Sequence, residues 1–325
     1  MIPDKKQREI DNDNIRRLSN REKLHNITLK QSSKRRLINK LVTIFAISSV
    51  IIAIIPLGSI LIEVVRNGIS VISIDFLTKP PGSFYLGNGG IAPAIQGTLI
   101  VVGLASLIGA PIGVLSGIYL SEFASSSSDS GGSGRISSKK VLFSYAVRLF
   151  NDVLAGVPSI VIGIVGYVMI VLIIGSFSVL AGAFALAIIM IPIIVRVTEE
   201  TLKIVPDSIR EAGHSLGIPK WKITLFIILR GAKSGVLTGI VLAVSRIAGE
   251  TAPLIMTILG TSLFFSSFTG PVDALPLRIW RLASQPYESA HAFGWGAAFI
   301  LILMVLGLNI SLRLLAHEKR VFLST

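Results

Sequence analysis

Cysteine is absent from all 325 residues, which excludes a disulfide scaffold, thiol catalysis, iron–sulfur ligation and cysteine zinc sites. Charge is scarce as well. Only 15% of residues are charged while 51% are hydrophobic, and the mean hydropathy is +0.74. A soluble domain of this length needs a charged exterior, so the apolar residues form several long runs rather than one buried core. The phosphate-cradling loop Gly-x4-Gly-Lys-Ser/Thr is missing, and no Gly-Lys dipeptide occurs anywhere. ATP hydrolysis by that route is excluded. No nucleophile–base pairing surrounds a Gly-x-Ser-x-Gly turn. His25, His214, His291 and His317 are scattered without Glu or Cys at ligand spacing, so no metal site and no resident cofactor are assigned.

What charge there is has one sign and an uneven distribution. The net charge is +13, and 12 of the 31 Lys and Arg lie within residues 1–40, before the first apolar run. A basic flank beside a membrane span sets topology and touches anionic lipid, which accounts for this excess better than nucleic-acid binding does. Residues 1–40 mix both signs with few large apolar residues and no lasting periodicity. They are expected to be a basic, disordered cytoplasmic tail. A cleavable signal peptide is not expected, because the first apolar run starts only near Leu41 and is too long.

A helix needs about 20 apolar residues to cross roughly 30 Å of hydrocarbon. Six runs qualify: Leu41–Ile62 (a first helix over 41–66), Ile91–Leu120, Val153–Ile174, Phe177–Val195, Gly235–Leu259 and His291–Leu315. Pro93 falls in the first turn of the second, where its missing N–H costs nothing. The expectation is an all-α integral membrane protein with six transmembrane helices. An even number of spans puts both termini on one side. That side carries 26 Lys and Arg against five on the other, so both termini are expected to be cytoplasmic.

Gly109, Gly113 and Gly117 lie four apart, and Gly235 and Gly239 repeat the spacing. Such faces let helix backbones approach closely, which points to packing inside the bundle. Residues 125–138 are almost all Ser, Gly and Asp and read as a flexible linker.

The loop 196–233 carries full helix punctuation. Pro206 stops what precedes it, and Ser208 with Glu211 fits a capping box. Gly217 supplies a left-handed stop, and Pro219 opens the next helix. A short helix held outside the membrane suits docking into a partner's groove. A helix lying on lipid would need more to insert than Ala212 and Gly213 offer.

These residues carry a resemblance. Glu211-Ala212-Gly213, three residues, Gly217, nine residues, then Ile227-Ile228-Leu229 resembles the EAA loop of ABC-importer permeases. Gly213 stands where that pattern has its second Ala, and Arg230 where it has Pro. Gly90–Thr98, Pro111-Ile112-Gly113, Tyr119–Glu122, Asp152–Ile160 and Ser245–Leu254 look like the permease of the ABC phosphate importer. Thr251-Ala252-Pro253-Leu254 and Gln285-Pro286-Tyr287-Glu288 are similar to its A-type subunit. The likeness covers about residues 41–318, with the permease domain over 91–318.

The resemblance implies a MetI-like bundle in a prokaryotic cell membrane, and a transporter subunit rather than an enzyme. It implies that Glu211, Ala212, Gly213 and Gly217 form the coupling helix, received by a separate ATPase subunit in two copies that binds ATP and Mg. It also implies a second, C-type permease subunit and an extracytoplasmic phosphate-binding protein. The cargo would be inorganic phosphate. Two other readings stay open: a permease for another oxyanion, and a membrane signalling or scaffold protein without transport.

Within the fifth run, Arg246 and Glu250 are four apart and therefore on one helical face. An Arg at the bilayer centre costs about 2.5–3.5 kcal/mol on insertion scales, so such a residue normally faces a bundle interior or an aqueous path. Its planar fork also suits an oxyanion. Arg246, Glu250 and Thr251 are thus the candidate translocation residues, against the plainer reading of a local ion pair. Arg148 and Asp152 form a second four-apart pair, expected to be structural.

Overall fold

The computed structural model describes residues 5–82, 89–124 and 138–317, so the linker over 125–137 lies outside it. The chain divides into two units, Met1–Glu63 and Val64–Thr325. Among the described residues the secondary structure is helical, with only two isolated β-bridges. In order the helices are α1 (Lys5–Ile69), α2 (Ile74–Thr78), α3 (Ala92–Ile118), α4 (Ser138–Gly156), α5 (Ser159–Gly166), α6 (Leu172–Ile174) and α7 (Val179–Lys203). There follow α8 (Asp207–Ser215), α9 (Lys220–Lys222), α10 (Leu229–Ala248), α11 (Ala252–Thr257), α12 (Leu275–Ala283) and α13 (Glu288–His317). Wider π-helical turns, Tyr119–Ala124, Tyr167–Val171 and Ile223–Ile228, follow α3, join α5 to α6 and join α9 to α10.

Among the described residues five helices are long and apolar enough to cross a membrane: Ile38–Ile69, Ala92–Ala124, Val179–Lys203, Lys220–Ala248 and Glu288–Leu314. A sixth is reached only if the pair Leu142–Gly156 and Ser159–Ile174, bent by 105°, counts as one span. The unbroken third span expected over Val153–Ile174 is therefore corrected. Pro158 has no N–H to donate and forces Val157 away from helical geometry, so the chain turns there and restarts at Ser159. The fifth span is corrected in the same way. It starts earlier, at Lys220, and stops at Ala248 rather than Leu259, with Gly249 as its C-cap and Pro253 in the first turn of α11.

The expectation of an irregular tail over 1–40 is corrected as well, since α1 is helical from Lys5. Lys, Arg, Glu, Gln and Leu are all good helix formers, and no proline interrupts the run between Pro3 and Pro56.

Helix α7 is the centre of the second unit. Two thirds of its apolar window, 67%, is buried, against 6% for α13. Its inward residues include Ala181, Ala185, Leu186, Met190 and Ile194, all fully buried. On one side lies α3, whose glycine stripe permits the contact: a Cβ on Gly113 would meet the Ile194 Cβ at 2.7 Å, and one on Gly117 the Thr198 Cβ at 2.6 Å. On the adjoining face α10 uses Gly235 against Thr201 and Gly239 against Val197, where an added Cβ would meet the Val197 Cγ1 at 2.7 Å. The glycines thus serve packing inside the bundle, as their spacing predicts.

The first turn of α7 finds its hydrogen bonds in the segment after α11. The N–H groups of Ser178, Val179 and Leu180 donate to the carbonyls of Thr257, Gly270 and Phe268 at 3.0–3.2 Å, and Ala181 N donates to the Ser178 Oγ at 3.2 Å. Those donors have no partner within the helix itself, and the 257–270 segment supplies what water would supply outside a bundle. The same segment and the start of α12 are tied to α3: the Gln96 Oε1 accepts from Phe265 N at 3.1 Å, and the Thr98 Oγ1 from Leu275 N at 2.8 Å.

A leucine at Gly113 or Gly239 must push α3 or α10 off α7. Such overpacking costs about 1–3 kcal/mol, and we expect a lower unfolding midpoint for Gly113→Leu and Gly239→Leu in detergent. Gly307→Leu, where nothing lies within 4 Å of the added Cβ, should leave that midpoint unchanged.

Candidate functional sites: the loop helix and the charged pair

The loop after α7 contains a true helix, α8, but its start differs from the capping box. Pro206 is the N-cap and no side chain caps the helix, so Ser208 lies one position inside the first turn. The reason is local: Pro206 fixes its own φ in a range that leads into a helix, which then begins at the next residue. Asp207 at that position favours the positive helix end. The stop is as expected. Gly217 has φ +72, its N–H donates to the His214 carbonyl at 2.9 Å, and Ile218 N donates to the Gly213 carbonyl at 3.2 Å. Together these form the Schellman closure that a residue with a Cβ would strain.

The four residues assigned to this helix divide by face. Glu211 and Ala212 are exposed, Gly213 is buried, and Gly217 ends the helix in the open. Gly213 rests on Ile223, which is 1% exposed; a Cβ there would meet the Ile223 Cδ1 at 2.8 Å. An alanine there, as the family pattern has, would need the end of the Ile223 side chain to shift. The open face adds Ile209 and, just past the helix, Leu216 at 78% exposure. Below it a cleft of about 480 Å³ is lined by Glu211, His214, Lys220, Glu122 and others.

Two residues that the sequence did not single out hold α8 in place. The Arg210 Nη2 donates to the Glu122 Oε1 at 2.8 Å and its Nε to the Glu122 Oε2 at 3.2 Å. Its other N–H groups reach the carbonyls of Leu202 (2.8 Å) and Val205 (2.5 Å) and the Asp207 Oδ1 (2.9 Å). All five guanidinium donors are used. The hydrogen bond to Glu122, partly opposed by burial, holds the Arg210 guanidinium above its ordinary pKa. Glu122 appeared in the sequence only as the end of Tyr119–Glu122, and no local pattern links positions 88 residues apart.

Arg148 does not pair with Asp152. Its partner is Glu199 of α7 at 2.8 Å, which Lys203 also meets at 2.7 Å. The structural role stands, as a tie between α4 and α7.

The second site lies where α10 breaks. Arg246 occupies the last turn of α10, Glu250 follows the Gly249 C-cap, and Thr251 is the N-cap of α11. Arg246 and Glu250 are brought together, but Glu250 is beyond the helix end rather than on its face, and Thr251 follows as the cap of the next helix. The carboxylate stands 3.8 Å from the guanidinium, a loose pair, with the Arg246 side chain 62% exposed and that of Glu250 17%. One residue before Arg246, the Ser245 hydroxyl meets Asn309 of α13. An exposed guanidinium beside a helix break offers free donors, which a tight ion pair would not.

A further buried pair went unread in the sequence. Asp273 is fully buried, and its Oδ2 accepts from the Arg278 Nε at 2.6 Å, while Arg278 also donates to the Thr261 carbonyl at 3.2 Å. Burial pushes the Asp273 carboxyl up from its ordinary pKa, with Arg278 pulling it back. This pair anchors the 257–274 segment against α12.

Among the described residues no group of three or more His, Asp or Glu could hold a metal. Residues 131–321 match the family described as binding-protein-dependent transport system inner membrane component. The fold is also that of solved transporter chains. It resembles a chain of the inward-facing MetNI methionine ABC transporter (TM-score 0.55, 17% identity, 69% of this chain and 93% of that one). It resembles likewise a chain of a bacterial alginate ABC transporter with its pentasaccharide-bound periplasmic protein (TM-score 0.60, 14% identity, 86% and 94%). Closer in sequence are the phosphate transport system permease proteins PstA of Haemophilus influenzae (40% identical over 88% of this chain and 96% of that protein) and Yersinia pestis (36%, 90% and 94%). A probable phosphate transport system permease PstA of Methanocaldococcus jannaschii is 34% identical over 86% and 94%. With this identity over nearly the whole length of such relatives, the chain belongs to the PstA family of phosphate transport system permeases, inner-membrane components of binding-protein-dependent transporters.

Proposed function

We propose that this chain is one permease of an ATP-driven inorganic phosphate importer, forming part of the path and taking its driving force from a separate ATPase. The observation that carries the reading is α8: a short, firmly closed helix that shows Glu211, Ala212, Ile209 and Leu216 outward on a chain without a nucleotide-binding loop. An amphipathic helix presented in this way is built to lie in a partner's groove. The partner is the ATPase subunit, in two copies, and Mg-ATP binds there. The charge asymmetry of 26 to five supports an orientation with both termini and α8 in the cytoplasm.

Arg246 supports the remainder. A guanidinium with 62% of its side chain uncovered cannot face hydrocarbon without a cost of about 2.5–3.5 kcal/mol or more, so water or another chain covers it. A second permease subunit of the C-type across this face would enclose a path with Arg246 on its wall. There Arg246 receives the anion while Glu250, 3.8 Å away, limits how tightly it is held. Thr251 adds a hydroxyl at the helix break. An extracytoplasmic phosphate-binding protein would deliver the cargo from the far side.

In vesicles holding the full complex, Arg246→Gln should lower phosphate uptake about a hundredfold, in keeping with loss of a charged contact used only during passage. The amount of assembled complex should not change. Wild-type uptake would make the pair structural, and equal competition by sulfate or molybdate would widen the cargo to oxyanions in general. Glu211→Arg should insert normally but lose ATP-driven uptake, read as phosphate accumulated with and without ATP; undiminished accumulation would reject α8 as the docking element.

A further inference from the structure

We infer that Arg210 and Glu122 are a transmission latch: together they make α8 move as one body with the ends of α3 and α7. The inference rests on the reading of α8 as the docking helix and adds how a push on it reaches the bundle. Neither residue touches cargo or nucleotide in this account; both are positioning residues.

The geometry joins three elements through one side chain. Arg210 belongs to α8. One of its donors goes to the Leu202 carbonyl in the last turn of α7 (Val179–Lys203), where a helix has no internal partners for its last carbonyls. Another goes to the Val205 carbonyl in the connection just beyond it. A cation there also suits the negative helix end. Two further donors grip both oxygens of Glu122, which belongs to the π-helical turn Tyr119–Ala124 closing α3. The Glu122 side chain is 3% exposed and that of Arg210 19%, so the pair is shielded from water and from salt screening. The connection from α7 to α8, three residues from Ile204 to Pro206, could otherwise flex as a hinge.

Neighbouring groups reinforce the same joint. The Lys220 Nζ stands 5.3 Å from the centroid of Phe123, the residue after Glu122, and Gly213 of α8 sits on the buried Ile223. α8 is thus held on its inner side at both ends, by Arg210 near its start and Gly213 near its finish, while Glu211 and Ala212 stay free for a partner. Since α3 and α7 form the glycine-packed pair at the centre of the bundle, a displacement of α8 is delivered to the core.

Arg is required rather than any cation, because five directed donors are used and an ammonium offers three. Arg210→Lys keeps the charge and loses the fork; Glu122→Gln keeps the shape and loses the charge. Both would be tested in the full reconstituted complex, reading three quantities: ATPase subunit retained on purification, ATP hydrolysed, and inorganic phosphate accumulated per ATP. We expect retention and hydrolysis to persist while phosphate moved per ATP falls about tenfold, the scale of an ordinary coupling energy. Because the chain has no native cysteine, spin labels on Ser215→Cys in α8 and Leu115→Cys in α3 give a readout without transport. Their distance distribution should be narrow with Arg210 and broad with Arg210→Lys.

Uptake and hydrolysis that fall together, or loss of the ATPase subunit in both variants, would reduce the pair to a folding contact and overturn the latch. So would unchanged phosphate per ATP or an unchanged distance distribution. Failure of the underlying reading looks different: Glu211→Arg would then keep full uptake whatever the Arg210 variants do.

Discussion

The close approach of two helices to α7 is the contact on which the rest of the bundle depends. Lipid tails are as apolar as the helix surfaces, so no hydrophobic force gathers helices together, and association relies on dense packing. α3 and α10 achieve it by giving up side chains where backbones meet: Gly113 and Gly117 on one, Gly235 and Gly239 on the other. With α7 so enclosed, its two ends become fixed points. The N-terminal end receives the carbonyls of Thr257, Phe268 and Gly270, and the C-terminal end receives Arg210.

The two ends differ in what they anchor. At the first, the 257–274 segment and the start of α12 are bound through Gln96, Thr98 and the buried Asp273–Arg278 pair. A buried pair of this kind contributes little net stability, yet breaking it by removing one partner is costly, so it fixes geometry more than it adds energy. At the second end α8 is clasped from within and open outside. In the proposed docking role such a helix needs an inner face that does not slip and an outer face that is free, and the distribution of Arg210, Gly213, Glu211 and Ala212 meets both needs.

Between these ends lies the break after α10. A helix interrupted at Gly249 places Arg246 and Glu250 near each other without locking them face to face; their separation of 3.8 Å leaves guanidinium donors unclaimed. In a membrane, irregular backbone is tolerated where protein or water covers it. The break and the uncovered guanidinium therefore both direct attention to the same surface.

What the sequence determined by itself is what depends on local composition and spacing. The apolar runs marked where the membrane-crossing helices lie, because hydrocarbon thickness fixes helix length. The Gly217 stop was legible because only a residue without a Cβ adopts that turn freely, and the four-residue glycine spacing because it repeats along one face. The Glu211–Gly217 motif and the flanking stretches named the family. The tertiary structure decided the rest. Pro158 and Gly249 turned expected straight spans into a sharp bend and a break, since a proline kink's angle depends on what the two halves pack against. Pro206 displaced the capping box by claiming the N-cap position itself. The partners of Arg148 and Arg210 were hidden for a single reason: side-chain pairs across 51 and 88 residues leave no periodic trace in a lone sequence, and only the folded bundle brings Glu199 to Arg148 and Glu122 to Arg210.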